Sequence, residues 1–306
     1  MPAPGWTPDN APDLTGRTAI VTGATGGLGF QVALVLAAKG ADTVLAARNP
    51  DKGGRALAEI RARHPAAKAR FALLDLASLA SVAAFAEAWT GKLDILVNNG
   101  AVMGLPTRHT TQDGFEQQIG VNYLAHFALT LRLRAALEAA PEGGRVVNVA
   151  SVAHQKGVLK LDDLQAQRAY NPKAAYRQSK LAMLMFSLEL HRRAQAGGWH
   201  LQSIAAHPGW SRTDIVFNGP GLGNPGLKAR LMDVVFAMVA QPAQDGALPI
   251  LYAAIAPEAQ PGAYYGPSRL HETRGSPAVA RVFPHARDTE AAARLWSLSE
   301  QLIARP

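Results

Sequence analysis

The 306-residue sequence predicts a single doubly wound α/β domain, a parallel sheet of about seven strands with helices on both faces. Three observations carry this. Short apolar runs rich in Val, Ile, Leu and Ala alternate with segments of helical spacing. The runs lack strict polar alternation, as strands buried on both faces do. No repeat or low-complexity linker divides the chain, so residues 14–306 read as one domain behind a short N-terminal arm, 1–13.

In chain order, the arm Met1–Asp13 holds four prolines and no charged stretch leading into an apolar core. Neither a signal peptide nor a membrane anchor is expected there. Thr18–Val21 reads as the first strand and Leu28–Lys39 as the first helix. Thr18–Ala38 as a whole is uncharged and long enough to cross a bilayer. Its middle, Thr22-Gly23-Ala24-Thr25-Gly26-Gly27-Leu28-Gly29, is too glycine-rich for one helix, so strand, turn and helix is the reading, and no membrane span is expected. Thr43–Ala46, Arg70–Leu74, Leu93–Val97, Arg145–Val149 and Leu201–Ala205 follow as strands. Helices are predicted over Lys52–Arg63, Leu79–Trp89, Gly114–Ala139 and Ala174–Ala196, lengths that imply right-handed crossovers. After Ala206 the pattern changes to a Gly/Pro/Asn loop, Phe217–Pro225, and an apolar helix-like piece, Leu227–Ala240. This insertion, about 210–241, falls beyond the carboxyl ends of the strands, where such folds place a ligand cover. An ordinary packing helix fits it equally well.

Composition narrows the function classes. Hydrophobic residues at 48% and charged residues at 18% exclude extensive disorder. The absence of cysteine removes disulfides, thiolate metal sites and cysteine nucleophiles together, and fits a reducing, cytoplasmic location. Net charge is +8, and 22 of the 31 basic residues are arginine. They are scattered through stretches such as Arg55–Arg63 and Arg132–Arg134 with no run of four, the pattern of solvated helix faces rather than a nucleic-acid surface. The nine histidines show no ligand-like pairing, so no metal is expected, and His126 and His154 read as packed side chains. Nothing in the pattern chooses between monomer and homo-oligomer.

Gly23-x3-Gly27-x-Gly29 falls between the first strand and the first helix. Glycines there permit a tight turn and let backbone N–H groups approach a pyrophosphate at the helix N-terminus. About 20 residues further on, an acid usually binds a free ribose 2′-hydroxyl. This chain instead has Leu45-Ala46-Ala47-Arg48-Asn49, with no acid before Asp51. A guanidinium at Arg48 suits a 2′-phosphate, so the expected cofactor is NADP(H). Taken alone, Arg48 also reads as a surface arginine opening a helix. Asp75 ends the third strand, where it either contacts an adenine or caps the helix beginning near Ser78. Asn98-Asn99-Gly100-Ala101 ends the fourth strand at the same sheet edge. Thr25, Leu28, Asn49, Leu76, Asn99 and Gly100 complete the expected dinucleotide contacts.

Tyr176-x3-Lys180 lies inside the predicted helix 174–196. That spacing places both side chains on one face, about 6 Å apart at Cβ. A tyrosine hydroxyl titrates near about 10, and a fixed ammonium beside it lowers that value by stabilising the phenolate. Ser151 ends the fifth strand at the same edge, where its hydroxyl can hold a substrate oxygen against the tyrosine. Alone, a Tyr-x3-Lys pair is an ordinary helix surface. Behind a nucleotide signature it reads as proton-transfer machinery.

Taken in order, Thr22-Gly23-x3-Gly27-x-Gly29, Asp75, Asn98-Asn99, Asn122, Ser151, Tyr176-x3-Lys180 and Pro208-Gly209 followed by Thr213 resemble the short-chain dehydrogenase/reductase family, from Leu14 to Ile303. The resemblance implies a Rossmann fold with Tyr176 as proton donor or acceptor and Ser151 orienting the carbonyl. It implies that Lys180 binds the nicotinamide ribose and lowers the tyrosine pKa, and that Asn122 holds a relay water. Pro208, Gly209 and Thr213 are implied to line the nicotinamide carboxamide. Ala47-Arg48-Asn49, Asn122–Phe127, Ser151–His154, Tyr176–Ala182 and the tail Leu295–Glu300 are similar to the retinol-dehydrogenase-like branch, as is the 25-residue separation of Ser151 and Tyr176. Asn98-Asn99-Gly100-Ala101 transposes the family's usual Ala-Gly, and the N-terminal anchor of some relatives is not expected.

The expected activity is therefore NADP(H)-dependent hydride transfer to or from a ketone, an aldehyde or the matching alcohol. Trp210, Phe217, Leu222, Leu231, Val234, Val235 and Phe236 in the cover point to a bulky apolar small-molecule substrate. The rival reading is a catalytically silent NADP(H)-binding sensor on the same fold. A sensor has no use for Asn122, Ser151, Tyr176 and Lys180 together.

Overall fold

The computed structural model describes residues 5–211 and 240–304. The six expected strands form close to their predicted bounds: β1 (Thr18–Thr22), β2 (Asp42–Ala47), β3 (Ala69–Leu73), β4 (Ile95–Asn98), β5 (Gly144–Val149) and β6 (Leu201–Ala206). Two more, β7 (Tyr264–Arg269) and β8 (Arg274–Val279), complete one eight-stranded sheet in the order β3-β2-β1-β4-β5-β6-β7-β8. Neighbours are parallel through β7, and β8 runs antiparallel to it. The sheet is thus wider than expected and ends in a hairpin. Gly266, Pro267 and Pro277 hid these strands, because proline cannot donate to a central ladder. The pairing shows why they are tolerated. β6 is in register with β7 only through Ala206↔Tyr265, so Pro267 faces Pro277 beyond that ladder.

Alternate residues of the strands supply two separate cores. Ile20, Val44, Leu96 and Val146 face one layer, with Phe127, Phe186 and Trp296. Val21, Leu45, Val97, Val147 and Ile204 face the other, with Leu36, Ile250 and Tyr252. The first layer contains α3 (Leu79–Glu87), α5 (Ala125–Arg132), α7 (Pro172–Gly197) and α9 (Thr289–Ile303). The second contains α1 (Gly27–Ala38), α2 (Pro50–Arg63) and α8 (Ala243–Ile255). Trp6 of the arm packs edge-on to Tyr252 with ring centroids 5.4 Å apart, so the chain from Trp6 onward is seated on the second core. Asn171 caps α7 by accepting from the Ala174 amide at 3.0 Å, Pro172 opens it, and left-handed Gly198 ends it.

The predicted helix 114–139 is interrupted. It resolves into α4 (Gln117–Ile119), a π turn over Gly120–Leu124, then α5 and α6 (Arg134–Glu138), which meet at Leu133. Apolar periodicity carries through these breaks and does not reveal them. All of the Leu227–Ala240 piece except Ala240, and with it most of the 210–241 cover, lies outside the described residues. Among the described residues no helix is long and apolar enough to cross a membrane.

β1 and β4 are neighbours, but the chain leaves β1 toward β2 and leaves β4 toward β5. A crevice opens beyond the carboxyl ends of strands at such a reversal of order. Thr22, Asn98, Val149 and Ala206 end their strands along this edge.

Candidate active site

The turn after β1 and the turn after β4 are pressed backbone to backbone at Gly23 and Gly100. Gly23 has φ +66°, and a Cβ there would stand 2.8 Å from the Gly100 Cα. A Cβ at Gly29 would meet Asn99 Nδ2 at 2.5 Å and the Gly23 carbonyl oxygen at 2.6 Å. Thr22 ties the turns: its Oγ1 accepts from the amides of Asn99 and Gly100, both at 2.9 Å. Asn99 Nδ2 returns a bond to the Thr22 carbonyl at 2.8 Å. At the transposed Gly100-Ala101, a Cβ at position 100 would lie 2.6 Å from Leu76 Cδ1, the mobile end of a side chain that could move aside.

Around this junction lies a cleft of about 520 Å³ lined by Gly23, Thr25, Gly27, Leu28, Gly29, Asn99 and Gly100, with Lys52 and Arg55 of α2. A smaller space of about 260 Å³ continues it past Arg48, Asn49, Lys52, Asp75 and Leu76. The residues expected at a dinucleotide site from these four turns are therefore brought together. Lys52 and Arg55 were missed, although they lie on α2, which opens two residues after Arg48. Asn49 caps α2, its Oδ1 accepting from the Lys52 amide at 2.9 Å. Asp75 is not a helix cap. Ser78 caps α3, while Asp75 closes a turn by accepting from the Ala77 amide at 2.9 Å.

A second cavity, about 570 Å³, meets the first at Leu28, Asn99 and Ala101. Ser151, Tyr176 and Lys180 share its wall with Met103, Val152, Pro208, Gly209 and Trp210. Lys180 is buried, and its Nζ donates to the Val149 carbonyl at 2.8 Å. Burial brings its pKa down to about 8. Tyr176 moves the other way. Burial raises its pKa above the usual value, and the Ser151 hydroxyl, not Lys180, is the group that opposes the rise. The lowering expected from the Tyr-x3-Lys spacing is thus outweighed by desolvation, with the ammonium turned to a carbonyl.

Asn122 sits in the π turn, wholly buried. Its side chain is committed to protein: Nδ2 donates to the Val102 carbonyl and Ser179 Oγ, each at 2.9 Å, and Oδ1 accepts from the Val102 amide at 2.8 Å. Any relay through this residue uses its backbone carbonyl, which a π turn shifts out of the regular ladder. His126 reaches that carbonyl with Nδ1 at 3.2 Å and Thr22 Oγ1 with Nε2 at 2.9 Å. Because a carbonyl only accepts, Nδ1 carries the hydrogen and the Thr22 hydroxyl donates to Nε2. Burial holds this imidazole neutral, with a pKa of about 3. His126 is packed, as expected, yet it also links the glycine turn to Asn122. His154 likewise braces Ser151, its Nδ1 lying 2.8 Å from the Ser151 carbonyl.

The Pro208-Gly209 loop is held from three sides. Gly209 has φ +65°, and its amide donates to His207 Nδ1 at 3.1 Å. The Pro208 carbonyl accepts from Ser211 Oγ and Gln241 Nε2, both at 2.8 Å. The Trp210 amide donates to the Thr273 carbonyl at 2.9 Å. The turn that supplies Thr273 contains three consecutive left-handed residues, Leu270, His271 and Glu272. Each such residue costs about 1–2 kcal/mol. Offsetting bonds run from Thr273 Oγ1 to the Leu270 carbonyl at 2.7 Å and from the Arg281 amide to Glu272 Oε1 at 2.8 Å, while His207 Nε2 lies 3.3 Å from Glu272 Oε2. Thr213 lies outside the described residues. Among the described residues no cluster of His, Asp or Glu could hold a metal ion.

A family model described as short chain dehydrogenase matches residues 17–218. The chain is a short-chain dehydrogenase/reductase. It falls in the retinol-dehydrogenase-like branch of that family, which comprises oxidoreductases that transfer hydride with NAD(P). It is 39% identical over 296 residues to retinol dehydrogenase 13 of Mus musculus, covering 95% of this chain and 84% of that protein. Polyprenol dehydrogenase of Mus musculus is 40% identical over 298 residues, with the same coverage of 95% and 84%. Among solved structures, an uncharacterized protein from Mycobacterium Paratuberculosis superposes with a TM-score of 0.80 at 38% identity, covering 98% of this chain and 97% of that one.

Proposed function

We propose that this short-chain dehydrogenase/reductase uses NADP(H) to interconvert a bulky, largely apolar ketone or aldehyde and its alcohol. One observation carries the reading: Ser151, Tyr176 and Lys180 share the wall of a cavity that opens into the dinucleotide cleft. The residues fit the cofactor. Gly23, Gly29 and Gly100 let the two turns pack backbone to backbone along the cleft, and the second strand is followed by Arg48, with Lys52 close by, rather than by an acid. Arg48 and Lys52 would take the 2′-phosphate, Asp75 and Leu76 the adenine side, and Pro208, Gly209 and Thr213 the nicotinamide end. Apolar lining from Leu28, Met103, Val152 and Trp210 supports a bulky substrate, as do the names of the retinol and polyprenol relatives. Ser211, which lines the cavity, forms a parallel bridge with Gln241, so the two ends flanking the segment between them are held together beside that cavity. That supports a cover role for 210–241. The absence of cysteine supports a cytoplasmic location.

Bound nicotinamide supplies the hydride for reduction and accepts it for oxidation. The chain positions the substrate oxygen between the hydroxyls of Ser151 and Tyr176. Tyr176, whose raised pKa keeps it protonated at neutral pH, donates its proton to that oxygen. Lys180, on the same wall as Tyr176, would hold the nicotinamide ribose and supply positive charge to the developing phenolate. Its pKa of about 8 lets it return a proton near neutrality. The backbone carbonyl of Asn122, aligned by His126, continues the path.

The test is Tyr176→Phe, which keeps the ring and deletes the hydroxyl. Carbonyl-dependent NADPH oxidation should fall by about 10² to 10⁴, the usual share of general acid catalysis, with cofactor binding retained. A Phe variant that matches the parent rate refutes the assignment. A parent that binds NADPH but turns over no carbonyl favours the sensor reading.

A further inference from the structure

The lining of the catalytic cavity is charged with one sign. It includes Lys156, Arg177 and Lys180 and, among the described residues, no carboxylate. Lys180 is buried against Val149, but the other two stand at the rim: Lys156 is exposed at the end of the turn Val152–Lys156, and Arg177 follows Tyr176 on α7. The two walls adjoin, since a Cβ at Gly157 would lie 2.8 Å from the Arg177 carbonyl oxygen and 2.9 Å from Leu181 Cβ.

Neither side chain forms an ion pair with a described carboxylate. Other cations nearby do: Arg168 pairs with Asp162 at 2.8 Å, and Arg192 and Arg193 hold Glu189 at 2.6 and 2.7 Å further along α7. The facing turn carries Glu272 between two lining residues, His271 and Thr273, but Glu272 does not itself line the cavity: its Oε1 accepts from the Arg281 amide at 2.8 Å and its Oε2 lies 3.3 Å from the buried His207. Lys173 precedes Arg177 by four residues on α7, a like-charge spacing that costs the helix stability. Nor does the cofactor account for them. The cations along the dinucleotide cleft are Arg48, Lys52 and Arg55, and neither Lys156 nor Arg177 lines that cleft.

We infer that Arg177 and Lys156 form an anion subsite at the cavity mouth, and that the preferred substrate is amphipathic, with its carbonyl at Tyr176, an apolar body and a carboxylate or phosphate at the far end. This rests on the proposed carbonyl reductase reading and narrows it. A guanidinium offers paired donors that match either anion, and a positive field from the described lining of a cleft with apolar walls raises the local concentration of such a ligand. Neutral apolar carbonyls enter the same cavity but leave both charges without a counterpart.

The experiment compares three ligands on the full chain with NADPH: an aryl ketone bearing a terminal carboxylate, its methyl ester, and the corresponding phosphate monoester. The parent should prefer an anionic ketone over the ester by about tenfold in kcat/KM, an advantage that shrinks as salt is raised. The more favoured of the two anions identifies the natural head group. In Lys156→Gln/Arg177→Gln the preference should drop to within about threefold, and Lys156→Glu/Arg177→Glu should favour a ketone bearing a quaternary ammonium. Calorimetric binding of the carboxylate to the NADPH complex should weaken in parallel. Equal use of acid and ester by the parent, or an unchanged preference and affinity in the Gln variant, overturns the subsite and leaves the carbonyl reductase reading standing. Absence of turnover on all three ligands counts instead against that reading, and calorimetry alone then decides the subsite.

Discussion

Thr22→Val isolates the bond that joins the two cofactor-side turns. Valine matches threonine in shape but offers no oxygen, so the Gly100 amide loses its acceptor and His126 Nε2 loses its donor. The Asn99 amide is less affected, because it also lies 3.0 Å from the Val97 carbonyl. An unsatisfied buried polar group costs about 1–3 kcal/mol, so two of them should destabilise the fold by about 3 kcal/mol. In a domain of this size, with an unfolding entropy of about 2.1 cal/mol/K per residue, that lowers Tm by roughly 5 °C. Thr22→Ser is the control, since it keeps the hydroxyl and loses only a methyl. Denaturant and thermal unfolding of both variants give the difference directly, and NADPH titration should show weaker binding for Val alone. A Val variant within about 0.5 kcal/mol of the Ser variant would falsify the claim that this hydroxyl holds the turns together.

The remaining predictions concern charge and titration. Arg48→Asp should weaken NADPH binding by one to two decades, roughly the 1.5–3 kcal/mol of a charge-assisted bond, with little loss for NADH. Fluorescence titration of the two cofactors checks it, and equal parent affinities refute it. His126 has a folded pKa of about 3, well below that of an exposed imidazole. Between pH 6.5 and 3 the unfolded chain therefore takes a proton that the folded chain refuses, and stability falls as pH falls. The parent should lose about 2 kcal/mol more than His126→Asn between pH 7 and 5, and parallel unfolding curves at the two pH values would remove the basis for a neutral imidazole. Lys180, lowered to about 8, gives the alkaline counterpart: stability should rise from about pH 8 towards 10 as the unfolded state alone stays charged, and Lys180→Met should not show it.

Local chemistry made much of this protein legible in one dimension. Strands such as Thr18–Thr22 and Gly144–Val149 are short apolar runs, and helices such as Pro50–Arg63 carry their own caps, because neighbouring residues decide those propensities. The glycine turn, Ser151 and the Tyr176–Lys180 pair could be placed for the same reason: each lies at a strand end or a fixed helical spacing. What depended on partners far along the chain could not be read. The β7–β8 hairpin went unassigned because its prolines fit only beyond the parallel ladder, and the helix over 114–139 broke at a π turn that periodicity does not register. The direction of the Tyr176 shift required its burial, a sum over many surrounding residues. Thr22 meets His126, a contact spanning 104 residues, and His207 approaches Glu272, so the hydrogen bonds that hold the site exist only after the sheet has assembled. Spacing determines which side chains reach the carboxyl edge of the sheet. Only the folded chain decides which charges there are paired and which are left to face the cavity.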